Sequence, residues 1–254
     1  MNNLVTRIPL SKITRIEIYI NSGRKKMAAI KKELGCRYII NAGLFDMRTF
    51  APMNLLVHGG RQYAKQGGKF GMSFDGAKVL LSYDNSVKYP EHVSGYPCLI
   101  KGSEKAYERV PSGLEGKRGR SAIGLSEKDM ILRACDDKAG IKLDELYADM
   151  RARGCNSAMN LDGGGSVQCD FYGNRITSGR IVHNFICVWC GGNAAKTVSA
   201  RTGLNIRHGA PNALGINTSR VIGTYDNGVR VEVLETLHGW GRTDIGWVCG
   251  RYLK

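Results

Sequence analysis

Several things are missing from this chain of 254 residues, and each absence narrows what it can be. No apolar run approaches the ~20 residues a membrane helix requires, so no membrane span is expected. The opening Met1-Asn2-Asn3-Leu4-Val5-Thr6-Arg7 has no basic stretch followed by an apolar one. That excludes a classical secretory signal and leads us to expect a protein that is cytoplasmic at synthesis. Eight cysteines are present, but their spacing forms no compact disulfide framework. Cys187 and Cys190 make a lone C-x-x-C with no second pair at zinc-ribbon spacing, so buried reduced thiols are expected and no metal ligand set is evident. Acidic residues are scarce, 22 against 37 Lys+Arg, and the net charge is +15. Residues 1–195 hold 29 basic and 18 acidic groups and residues 196–254 hold 8 and 4, so no single tail carries the excess. Such a field favours polyanions. There is, however, no basic stripe interleaved with aromatics of the kind nucleic-acid binders use, and nucleic acid is not an expected partner.

What is present is organised around two similar stretches. Met27, Ile30 and Leu34 share one helical face, Ser22 is a candidate cap, and Gly35 can end the helix. Cys36 to Ile40 then reads as a strand running into Asn41-Ala42-Gly43-Leu44-Phe45. Leu143, Leu146, Tyr147 and Met150 repeat the helical spacing and Gly154 ends it. Cys155 to Leu161 reads as a strand entering Asp162-Gly163-Gly164-Gly165-Ser166. Both copies place an asparagine, Asn41 or Asn160, at the end of the strand beside a glycine-containing turn. Helix-to-strand units of this kind suit an α+β fold, a mixed sheet with packed helices, and the two turns are expected to face one pocket. Shorter strands are expected at Asn54–His58, Gly71–Phe74, Lys78–Ser82 and Cys98–Lys101, with a hairpin turning at Ser126–Asp129. Glu108 to Gly119 reads as a loop and a candidate mobile segment. Gly191–Ala195 reads as a linker, after which no helical period recurs and a small all-β barrel is expected.

Three successive glycines after a strand permit positive φ and let backbone approach a ligand closely, while their N–H groups can form an anion-binding nest. Asp162 at the mouth of that turn is placed to act as base or nucleophile, although an isolated Asp-Gly-Gly turn is more often purely structural. Arg120, Arg175 and Arg180 have the planar fork suited to phosphate. His183 and Asn184 follow in the same region.

Taken in order, these segments resemble the phosphodiester glycosidase family. The pieces are Asn41-Ala-Gly-Leu-Phe45, Gly119-Arg-Ser-Ala-Ile-Gly124, the helix from Lys142 to Arg153 leading to Asn160-Leu-Asp-Gly-Gly-Gly-Ser166, and Gly179-Arg-Ile-Val-His-Asn184. The resemblance covers most of residues 1–193. It implies a catalytic domain that hydrolyses a sugar-1-phosphate diester at the anomeric carbon. It also implies a pocket built from Asp162, Arg120 and Asn41 as catalytic groups. Gly163, Gly164, Gly165, Ser166, Arg180, Arg175, His183, Asn184, Phe45 and Asp46 would then bind substrate. No cofactor is implied; a divalent metal is compatible with the chemistry, without an evident ligand set. A non-catalytic protein capturing phosphorylated sugars or nucleotides on the same fold is the alternative.

Residues 198–254 resemble a bacterial Src-homology-3-like module, through Leu204-Asn-Ile-Arg-His-Gly-Ala-Pro211, Gly239-Trp-Gly241 and Gly246-Trp-Val248. The implied role is cell-wall binding through Tyr225, Trp240 and Trp247. The implied partner is peptidoglycan or an anionic wall polymer, as for a phage or bacterial lytic enzyme that reaches the wall after release.

Overall fold

The computed structural model describes residues 3–64, 70–83, 86–191 and 196–254. It separates into two compact units, Met1–Phe171 with Arg175–Cys190, and Tyr172–Asn174 with Gly191–Lys254. Residues 192–195, which make up most of the expected linker Gly191–Ala195 and include the expected end of the first domain at 193, lie outside the described residues.

The first unit is built on three sheets. A six-stranded sheet runs in the order Asn3–Pro9, Asp129–Cys135, Arg120–Leu125, Ser157–Asn160, Cys98–Lys101, Glu104–Lys105. A five-stranded sheet follows the order Asn174–Ile176, Cys169–Phe171, Tyr38–Asn41, Asn184–Cys190, Ile13–Ile20. Another five-stranded sheet comprises Arg61–Ala64, Leu56–His58, Glu91–Ser94, Gly71–Asp75 and Lys78–Ser82. Every pairing in the six-stranded sheet is antiparallel. Helix accounts for 11% of the chain and strand for 43%, so the fold is mostly sheet, more β-rich than the expected α+β class of a mixed sheet with packed helices. The correction has a local cause. Only two segments carry a helical stripe, and the apolar segments around them pair antiparallel, some through short turns and others across long stretches of chain.

Those two helices form where the apolar spacing places them. α1 (Met27–Leu34) ends on Gly35 at φ 63°, the left-handed conformation that glycine adopts without a Cβ penalty. Its start differs from expectation, because Ser22 makes no cap. Asn21 instead braces the entry, accepting from Lys25 N and donating to Lys25 O, both at 2.8 Å. Met27 and Ile30 pack with Ile39, Phe45, Val182, Phe185 and Cys187. α2 (Leu143–Ala152) sets Leu143, Leu146 and Met150 against Leu99, Ala122, Ile131 and Ala158. Gly124 lies beneath it, where an added Cβ would stand 2.7 Å from both Met150 Cε and Cys155 Sγ. The third sheet is tied to the Ile13–Ile20 strand by the buried Glu91 carboxylate, which accepts from Ile18 N at 2.8 Å and from Gly59 N at 2.7 Å. All eight cysteines are free thiols.

In the second unit, the strands Val221–Tyr225, Leu204–Arg207, Trp247–Cys249, Trp240–Arg242 and Glu235–Leu237 form one antiparallel sheet. Lys196–Thr197 pairs with Arg230–Val231. Val198, Leu204, Ile206, Tyr225, Val231 and Val248 make its core. No helix among the described residues is long and apolar enough to cross a membrane.

Candidate active site

The strand Ser157–Asn160 delivers the chain into Asp162 and a single turn of 3-10 helix, Gly164–Ser166. Main chain, rather than side chain, fixes this turn. Gly164 N donates to Gly119 O at 2.9 Å, and a Cβ on Gly163 would stand 2.7 Å from that same oxygen. Gly164 itself has φ 58°. Glycine is therefore required at 163 by close backbone approach and at 164 by conformation. The expected nest is largely consumed inside the protein: Gly163 N donates to Asp162 Oδ1 (2.9 Å), Gly164 N to Gly119 O, and Ser166 N to Gly163 O.

Around the Asp162 carboxyl the structure gathers Ser166 and Arg180. The Ser166 hydroxyl accepts from Arg180 Nη1 at 3.0 Å, and both groups favour the ionised form of the Asp162 carboxyl. Arg180 lies against the glycine turn, its Nη2 3.0 Å from where a Gly165 Cβ would be. Ser178 fixes this arrangement, donating to Gly165 O and accepting from Arg180 N, while Gln168 Nε2 holds Arg180 O. Asp162 is only 9% exposed. Burial pushes its carboxyl above the ordinary carboxylate range, against the opposing pull of Ser166, the Gly163 N–H and the Arg180 charge. A carboxyl so placed can exchange a proton near neutral pH more readily than a solvated one.

Asn41 is brought beside Asp162, as the two similar turns suggest, but as a brace. Its Nδ2 donates to Asp162 O at 2.7 Å, and its Oδ1 accepts from Ser121 Oγ at 2.7 Å and from Gln168 N at 3.1 Å. Asp162 N in turn donates to Ala42 O at 2.9 Å. Asn41 is wholly buried, with both ends of its amide engaged by protein groups. Asn184 is a second brace, bonded to both Gly43 N and Gly43 O.

Other expected site residues are placed elsewhere. Arg120 is 1% exposed and turns away from the carboxyl, donating to Leu114 O at 2.6 Å and, more weakly, to Gly116 O and Ile141 O at 3.4 Å. Arg118 donates to Gly113 O and Glu115 O, both at 2.8 Å. Two guanidinium groups thus clasp the loop expected to be mobile, and Arg120 is a structural group. Arg175 pairs with Asp170, which also takes Lys31 of α1. Asp46 accepts from Arg48 N and Thr49 N, which caps a turn and lowers its pKa. Phe45 belongs to the α1 cluster, and His183 stacks beside it, 6.3 Å between ring centroids, with Phe50 edge-on at 5.2 Å. Burial lowers the His183 pKa and its Nδ1 faces Asn184 Nδ2 at 3.1 Å, so it is a neutral interior ring.

Sequence reasoning also missed contributors. Ser121, Gln168 and Ser178 hold the turn, and Asp137 holds Gly119 N at 2.6 Å, one main-chain residue from the glycine turn. Asn160 was read only as part of a motif. Its Nδ2 donates to Tyr96 O at 2.7 Å, while its main chain bonds Tyr96 N and Pro97 O. A polar residue that ends an otherwise apolar strand is the available signal for Asn160. Among the described residues no cluster of His, Cys, Asp or Glu is arranged to hold a metal ion.

In the second unit Trp240 lines a cavity of about 580 Å³, together with Lys196, Thr236, His238 and Arg251. Tyr225 is core, its hydroxyl bonded to Thr243 and Asp244, and Trp247 is 7% exposed. Both are corrected from wall contacts to packing residues.

The catalytic domain of zebrafish N-acetylglucosamine-1-phosphodiester alpha-N-acetylglucosaminidase, auto-inhibited by its pro-peptide, superimposes with a TM-score of 0.59 at 16% identity. The match covers 74% of this chain and 84% of that one. A Burkholderia pseudomallei protein superimposes with a TM-score of 0.53 at 12% identity, covering 74% and 73%. At these identities the likeness is one of fold. No curated protein sequence matches the chain. The model of the phosphodiester glycosidase family matches residues 34–189, more than half of the sequence, and with it the turn that carries Asp162. The chain belongs to the phosphodiester glycosidase family.

Proposed function

We propose that this protein hydrolyses a glycosyl phosphodiester at the anomeric carbon, with Asp162 as the reacting carboxyl and Arg180 as the phosphate ligand. The observation that carries the reading is the gathering of Ser166 and Arg180 about the buried Asp162 carboxyl on a turn built from main chain. A phosphomonoester leaves readily, so the site has more need of charge stabilisation than of a strong acid. In the reaction, the oxygen of water ends bonded to the anomeric carbon, the bond from that carbon to the phosphate oxygen breaks, and the phosphate leaves with the electron pair. Asp162 either accepts the proton of the attacking water or attacks first itself, and the two routes differ in the anomer released.

The second unit is proposed as a Src-homology-3-like module that holds the enzyme on peptidoglycan or an anionic wall polymer through Trp240, after release from the cytoplasm. Its support is the cavity at Trp240 and the basic balance of residues 196–254. The deciding experiment offers a panel of glycosyl phosphodiesters and purified bacterial walls to the intact protein and to Asp162→Asn. Proton NMR then follows free sugar and its anomer. Turnover that falls about 10²-fold or more in the variant is expected. Full activity in Asp162→Asn refutes the assignment, and binding without turnover by the native chain makes it a capture protein. Trp240→Ala is expected to lower retention on walls without altering turnover of a soluble diester.

A further inference from the structure

The first unit holds a cavity of about 670 Å³ whose walls include Leu44, Tyr96, Pro97, Tyr107, Arg109 and Pro111. Its size is that of a small-molecule site. Asp162 does not line it, but segments bonded to Asp162 or its strand do. Leu44 lies two residues beyond Ala42, whose carbonyl takes the Asp162 N–H. Tyr96 is bonded through its N–H and its carbonyl to Asn160, two residues before Asp162.

The chemistry of the walls is selective. Among the described residues no carboxylate lines the cavity, and Arg109, which is exposed, is the one cation that does. Tyrosine and proline faces offer flat apolar surface, suited to stacking on a ring. The walls are also held in place. Tyr107 donates its hydroxyl to Asp144 at 2.8 Å, and Lys105 pairs with the same carboxylate at 2.9 Å. Arg109 to Pro111 lead into the segment whose carbonyls, from Gly113 to Gly116, are gathered by Arg118 and Arg120.

We propose that this cavity receives the leaving-group half of the substrate, a ring-bearing phosphate ester, with Tyr96 and Tyr107 as stacking faces and Arg109 joining Arg180 as a ligand to its phosphate. The proposal rests on the phosphodiester reading and deepens it. It makes Arg109 and Tyr96 specificity determinants, because only a diester with a ring on the far side of the phosphate fills the cavity.

Binding and turnover separate the two ideas. Phenyl phosphate, a ring-bearing phosphomonoester, is titrated by calorimetry into the intact protein, Arg109→Gln, Tyr96→Ala and the surface control Lys12→Gln. Affinity is expected to fall about tenfold in Arg109→Gln, the equivalent of one charge-assisted hydrogen bond, and to stay unchanged in the control. In parallel, KM for a phenyl glycosyl phosphodiester is expected to rise at constant kcat in both Arg109→Gln and Tyr96→Ala, while KM for the methyl diester of the same sugar, which keeps the phosphate and lacks the ring, rises in Arg109→Gln and is unaffected in Tyr96→Ala. Equal affinity in all four proteins, or no binding by any, overturns the proposal even where diesters are turned over. Arg109-dependent binding without turnover of any diester upholds the cavity and rejects the activity.

Discussion

Replacing Arg120 by lysine separates a structural guanidinium from a catalytic one. The side chain is 1% exposed and reaches three main-chain carbonyls, one at 2.6 Å and two at 3.4 Å. Burial and the neighbouring Arg118 charge lower its pKa, so its charge is held at a desolvation penalty that these carbonyls offset. Lysine keeps the charge but loses the fork. It can satisfy one carbonyl well and leaves the others short of a donor. A charge-assisted bond contributes about 1.5–3 kcal/mol and each of the two long contacts less, so the expected loss is about 1–3 kcal/mol. For a unit of this size that lowers Tm by roughly 2–12 °C, read by calorimetry or by near-ultraviolet circular dichroism against temperature. Per folded molecule, kcat on a small soluble diester should stay within about fivefold. A group that neutralises transition-state charge would instead cost about 10²–10³ in kcat. An unchanged Tm combined with a hundredfold loss of kcat refutes the structural assignment.

Three further outcomes are expected. Burial raises the folded-state pKa of Asp162, so its contribution to stability is present at low pH and is lost as pH rises through the raised value. Asp162→Asn should therefore be more stable than the native chain at pH 7 and lose that advantage near pH 4, in denaturant titrations at both pH values. His92 is buried, with its pKa lowered to about 4 by desolvation, so it stabilises the fold above about 6.5 and that stability is lost as pH falls toward 4. Between those values its contribution changes by about 3 kcal/mol at most, and His92→Gln should flatten the acid limb of a Tm against pH curve. Gly163→Ala forces a Cβ to 2.7 Å from Gly119 O and should disturb the turn, costing about 1–3 kcal/mol in denaturant titration and most of the activity.

The glycine turn and its partnership with the Asn41 turn were legible because both lie where an apolar strand stops at a polar residue. The helices were legible from their period. The direction of Arg120 was not. Its segment, Arg120-Ser-Ala-Ile-Gly-Leu125, is buried on both faces, so no alternation marks which side chains point which way. The structure supplies the register: Ala122 packs under α2, and Arg120, two residues earlier, goes to Ile141 and Leu114, while Ser121 between them reaches Asn41. A step of one residue along a strand changes face, and a residue placed by motif alone can be assigned to the wrong one. The antiparallel character of the sheets was hidden for a related reason. Pairing partners such as Asn3–Pro9 with Asp129–Cys135 are more than a hundred residues apart, a distance over which local patterning carries no information.

The main chain of Gly119 occupies the space where residue 163 would carry a side chain, and the guanidinium of Arg180 does the same at 165. Variation has nowhere to enter at these positions, whereas the walls around Tyr96 and Arg109 are side chains that can be exchanged without touching that scaffold. A lineage, or a laboratory, seeking a new substrate from this architecture would therefore diversify the cavity first and leave the carboxylate's cradle as it found it.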